Sequence, residues 1–116
     1  MTPEEREAAR LGLTVEKEFS HLQKPRPGHR ALLAAVYPED RRIVLFELNI
    51  KAVCRTRGID PEAKREALIR HELYHFRRWL GCRRQGRRWH PRHPVEEREA
   101  RRAEAGLSPE TGSMEG

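Results

Sequence analysis

Asp60-Pro61-Glu62 and Gly81 bracket the stretch that most constrains what this chain can fold into. Asp60 suits an N-cap, Pro61 the first helical position, where its missing N–H costs nothing, and Gly81 a C-terminal stop. These signals predict a helix from Pro61 to Leu80. Within it Ile69, Leu73, Phe76 and Leu80 recur at i, i+4, i+7 and i+11 and form one apolar stripe, with Leu68, Glu72, His75 and Trp79 on the adjoining face. The chain is 36% hydrophobic and 36% charged over 116 residues, so it can support a single domain with a small core and a densely ionic surface. The rest of the fold has to assemble around this helix.

Thr2, Pro3 and Glu5 form a capping box, and Ala8, Leu11, Val15, Phe19 and Leu22 follow at spacings of three and four, predicting a first helix to about Leu22. "QKPRPGHR" then reads as a loop. "ALLAAVY" and "RIVLFEL" are short, apolar runs separated by the turn composition "PEDR", which predicts an antiparallel hairpin. "NIKAVCRTRG" predicts a short helix ending at Gly58, with Ile50, Val53 and Cys54 inward. A last helix is expected to open near Pro94 and stop at Gly106, offering Val95, Ala100, Ala103 and Leu107 for packing. Residues 107–116 are small and polar and are expected to be a disordered tail beyond a domain of residues 1–106. No internal repeat is visible.

Residues 71–75 read His-Glu-Leu-Tyr-His, an HExxH pattern inside the predicted central helix. With 3.6 residues per turn, His71 and His75 point the same way and can converge on one cation, while Glu72 is angled toward a water beside it. Zinc takes neutral imidazole at about 2.0–2.1 Å and needs a third protein ligand plus an open position. Glu96, Glu97 and Glu99 on the following helix are candidates for that ligand, as are His90 and His93. A separate knuckle from Cys82, His90 and His93 is disfavoured, because it has only three ligands and no CxxC pair.

HELYH, followed some twenty residues later by "EREARRA", resembles the gluzincin pattern of thermolysin-clan zinc peptidases. At this length it is most similar to the minigluzincins and the ImmA/IrrE-like metallopeptidases, over roughly residues 31–106. The resemblance implies a compact α+β zincin-like domain: an N-terminal helix, a small antiparallel sheet whose edge strand aligns peptides, the HExxH helix and a glutamate helix. It implies Zn2+ held by His71, His75 and Glu97, the last identified by its spacing to Ala100 and Ala103, and Glu72 as the catalytic base of a peptidase acting on peptide or protein substrates. The family commonly carries Asp or Asn four residues after the ligand glutamate to orient a histidine; this chain has Arg101 there.

Between Leu73 and Val95 lie seven arginines and no acidic residue, a local excess larger than the whole chain's +6. Arg83, Arg84, Arg87 and Arg88, with Trp79 and Trp89 interleaved, form a candidate rim for nucleic acid or an acidic partner: guanidinium for phosphate or carboxylate, indole for base stacking. A second functional reading follows, a catalytically silent zincin-like module that binds through this rim. No run of residues is long and apolar enough for a membrane span, the first twenty residues lack a signal-peptide core, and Cys54 and Cys82 make no disulfide framework, so the expectation is a cytoplasmic protein with free buried thiols.

Overall fold

A computed structural model describes residues 2–19 and 32–106. The chain runs α1 (Pro3–Arg10), β1 (Thr14–Glu18), β2 (Ala34–Tyr37), β3 (Arg42–Phe46), α2 (Glu47–Arg57), α3 (Pro61–Arg84) and α4 (Pro94–Glu104). This is an α+β domain in which four helices pack with a three-stranded sheet of order β1-β3-β2. No described helix is long and apolar enough to cross a membrane.

α3 is the spine against which α1, α2, α4 and the sheet all pack. Its start follows the sequence: Asp60 accepts from the Ala63 N–H at 3.1 Å and Pro61 occupies the first turn. Ile69, Leu73 and Phe76 are almost wholly buried with Ile43, Leu45 and Ile50, while Leu80 packs at the margin. The helix does not stop at Gly81. It continues one turn to Arg84, and the left-handed conformation that ends it belongs to Gly86 (φ 65°). A glycine stops a helix only where the chain adopts that conformation, and Gly81 does not.

The first helix is shorter than its apolar spacing suggests. α1 ends at Arg10, Gly12 turns with φ 78°, and Thr14–Glu18 leave as a strand, so Val15 belongs to a sheet and not to a helical stripe. "TVEKE" fits period two as well as period 3.6, and the β3 edge supplies hydrogen-bonding partners that a helix could not use. Leu22 and the "QKPRPGHR" loop lie outside the described residues. The predicted hairpin is present, with β2 antiparallel to β3, but β1 pairs with β3 in parallel (Val15 opposite Ile43), so the sheet is mixed rather than antiparallel.

Arg41 closes the hairpin turn at φ 52° and ties it to α1. Its carbonyl accepts the Thr14 N–H at 3.0 Å, and its guanidinium donates to the Leu11 carbonyl at 3.1 Å and lies over Phe76. α2 ends at Gly58 (φ 67°) as expected, with Ile50 and Cys54 buried and Val53 half-buried. α4 opens at Pro94 and Gly106 (φ 80°) follows its end, with Ala100 inward. Val95 is exposed, because the first turn of α4 faces the 85–93 connection and not the core. Leu107 and the tail lie outside the described residues.

A largely buried ion pair joins α2 to α3. Glu47, 1% exposed at the start of α2, accepts from Arg65 Nε at 2.9 and 3.0 Å, and Arg65 also pairs with Glu62. Removing one partner strands the other's charge, whereas removing both does not. Arg65→Leu is therefore expected to cost about 3 kcal/mol in urea unfolding, and Glu47→Leu/Arg65→Leu to recover most of it. Equal losses in both variants would show that packing, not the pair, holds α2 to α3.

Candidate metal centre

α3 and α4 meet along a polar seam. Leu68, Ile69, Leu73 and Phe76 commit one side of α3 to the core, and helical phase then points His71, Glu72 and His75 at α4. Proline at the start of α4 and Ala100, wholly buried, fix how α4 lies on that seam. His71, His75 and Glu97 come together there, with donor atoms all within 4.8 Å of one another. The two rings are 5.0 Å apart between centroids, and His75 Nε2 lies 2.8 Å from Glu97 Oε1. A His-His-Glu group so arranged can hold a metal ion.

The other ring nitrogens are also taken. His75 Nδ1 is 2.6 Å from Glu96 Oε2, and both groups are buried. Trp89 Nε1 donates to the same oxygen at 3.0 Å, and Trp89 stands edge-on to His75. His71 Nδ1 is 3.1 Å from Glu104 Oε1, whose other oxygen lies 3.6 Å from Lys64 Nζ. A carboxylate at each Nδ1 is the arrangement that, with a cation bound, would hold the proton on that nitrogen and leave Nε2 to ligate.

These arrangements sort the candidates. Glu97 is the α4 carboxylate turned to His75 Nε2 and grouped with His71. Glu96 holds the back of His75, and Glu99 is buried where it lines a cavity with Tyr74. His93 caps α4, its Nδ1 accepting the Val95 N–H, and neither it nor His90 joins the cluster. Cys82 is buried on the far turn of α3, a free thiol like Cys54. Sequence reasoning missed the roles of Glu104 and Trp89. Arg101 does stand four residues after Glu97, but Glu104, seven residues after it and on the same face of α4, reaches His71.

Glu72 differs from the other acids of the seam. It is 7% exposed and accepts no hydrogen bond from any described residue. Burial pushes its carboxyl above the ordinary range and the charges of Glu97 and Glu104 push the same way, while His71 and His75 pull it down without prevailing. For His71, burial opposes the charged form, but the Glu104 hydrogen bond and the neighbouring carboxylates outweigh it and raise the pKa. Glu104 is correspondingly lowered, first by His71, with Lys64 helping.

Arg83, Arg84, Arg87 and Arg88 are all exposed at and beyond the end of α3. The indoles between them are already in use. Trp79 is stacked on Phe76 (5.6 Å) and covered by Arg83 (5.1 Å), and Trp89 is committed to Glu96. The chain matches no protein-family model, no curated protein and no solved structure, so the chemistry of the site rests on its own geometry.

Groups that orient a metal-bound histidine typically account for 10–100-fold in metal affinity. Glu104→Gln and Glu96→Gln are each expected to weaken divalent-metal binding by roughly that factor in a competitive chelator titration. Undiminished affinity in both would mean that the Nδ1 contacts are packing only.

Proposed function

We propose that this chain is a zinc-dependent metallopeptidase whose centre is His71, His75 and Glu97, with Glu72 as the general base. The observation that carries the reading is the convergence of His71, His75 and Glu97, three side chains able to ligate one cation, with the mostly buried Glu72 beside the two histidines. Two neutral imidazoles and one carboxylate suit zinc better than magnesium or calcium, which favour all-oxygen sites. Three protein ligands also suit a catalytic site, in which a fourth position is kept for water.

A zinc ion held there would supply Lewis acidity, lowering the pKa of a water toward about 7. Glu72 takes that water's proton as the oxygen attacks a peptide carbonyl, then delivers it to the departing amine. Its burial serves both halves of the cycle, because a carboxylate held above its usual pKa range is a stronger base and its conjugate acid is ready to donate. Glu96 and Glu104 keep the two imidazoles in the ligating tautomer, and Trp89 holds Glu96 in place. Among the described residues β2 is an edge strand, paired only with β3 and packed beside α3, and an extended peptide could add along its other side.

The decisive comparison uses two variants. His71→Ala is expected to abolish stoichiometric zinc in the purified, zinc-replete protein, measured by elemental analysis. Glu72→Gln is expected to keep the zinc and lower casein cleavage by a factor on the order of 10^2–10^4. Zinc retained after His71→Ala would refute the site. Zinc-loaded wild type that never cleaves would leave a metal-binding module and refute the enzyme.

A further inference from the structure

Three arginines, Arg78, Arg87 and Arg88, line one cavity. Between the last turns of α3, the 85–93 connection and the start of α4 is a space of about 370 Å³ lined by Tyr74, Arg78, Arg87, Arg88, His90 and His93 among others. Arg87 reaches only the Gln85 side chain, at 3.3 Å, and Arg88 makes no contact with an acid among the described residues. Two acids, Glu96 and Glu99, share the wall, but neither pairs with Arg87 or Arg88. Both are buried, Glu96 is held by His75, Trp89 and Arg78, and Glu99 has its own partner. The start of α4, an 11-residue helix, adds its positive dipole to the same space.

This cavity adjoins the metal centre. Glu96 lines it with one side and holds His75 with the other, and Tyr74 precedes His75 on α3. The ligand chemistry it suits is an oxyanion, since guanidinium groups pair with planar carboxylates through two parallel hydrogen bonds. Nucleic acid would also need exposed aromatic faces for its bases, and the structure covers Trp79 and commits Trp89. Val95, exposed at the cavity's edge, gives the methylenes of an acidic side chain an apolar contact.

We infer that this cavity is a specificity pocket for an Asp or Glu side chain of a polypeptide lying across the metal centre, gripped by Arg87 and Arg88. The substrate class rests on the peptidase reading; the test reads binding without turnover, so the two can fail separately.

Zinc-loaded Glu72→Gln protein is titrated by fluorescence anisotropy with a labelled neutral peptide and with the same peptide carrying two glutamates. The acidic peptide is expected to bind roughly ten-fold tighter at low ionic strength, with the advantage shrinking as salt rises. Adding Arg87→Glu and Arg88→Glu should abolish the advantage while zinc stoichiometry, the control for folding, is unchanged. Equal affinity for the two peptides, or an acidic preference that survives the arginine changes, overturns the pocket. Tighter, arginine-dependent binding of an oligothymidylate of matching length overturns the occupant. If wild type neither takes up zinc nor cleaves casein, yet the acidic peptide still binds through these arginines, the pocket stands and the peptidase reading falls.

Discussion

The contact on which the rest of the structure depends is the pairing of α3 imidazoles with α4 carboxylates. Three acids of α4, Glu96, Glu97 and Glu104, each lie within 3.1 Å of a ring nitrogen of His71 or His75. Ionised groups are costly to bury unless matched by opposite charge or hydrogen bonds. Glu96 is only 6% exposed, and its burial is matched by His75 Nδ1 and Trp89 Nε1 on the same oxygen. The apolar contacts between the two helices are few, with Ala100 the one wholly buried residue of α4. α4 is thus held to α3 largely by the groups that would also do the chemistry.

This arrangement separates two electrostatic regions along one helix. The middle of α3 faces acids, with Glu72, Glu97 and Glu104 around the histidines. Toward the end of α3, Arg77 pairs with Glu7 at 2.8 Å and Arg78 leans toward Glu96 at 3.7 Å, while Arg83, Arg84, Arg87 and Arg88 beyond them meet no acid among the described residues. Glu96 stands at the boundary, ordering a ligating histidine and forming the wall of the basic cavity. A dication in the first region would offset its carboxylates, leaving the second as the place where an anionic ligand is drawn in.

Much of this was legible in the sequence because it depends on local rules. Caps and helical period fix α3's start and inward face, and the four-residue spacing of His71 and His75 follows from 3.6 residues per turn whatever the tertiary fold. The hairpin and the Gly58 and Gly106 stops were likewise local. What escaped were choices settled by distant partners. Val15 reads equally well on a helix or a strand until β3 is beside it. Gly81 looks like a stop until the chain is seen to turn at Gly86 instead. Glu97 could be told from Glu96 only by the resemblance, because consecutive residues on α4 differ by about 100° in direction, and which one meets Nε2 depends on how α4 lies on α3. Glu104 and Trp89 gave no signal, since a hydrogen bond to a histidine's Nδ1 across 33 residues, or to a glutamate from a loop tryptophan, leaves no period in the sequence.

The central claim is that one cation is held by the Nε2 atoms of His71 and His75 and by Glu97. X-ray absorption at the zinc edge of reconstituted protein tests it most directly, because it reads the ligand set without requiring turnover. The account predicts two imidazoles at about 2.0–2.1 Å with oxygen filling the remaining positions and no sulfur. A sulfur shell at about 2.3 Å, which would bring Cys54 or Cys82 into the coordination sphere, or a spectrum with no histidine scattering, would contradict it.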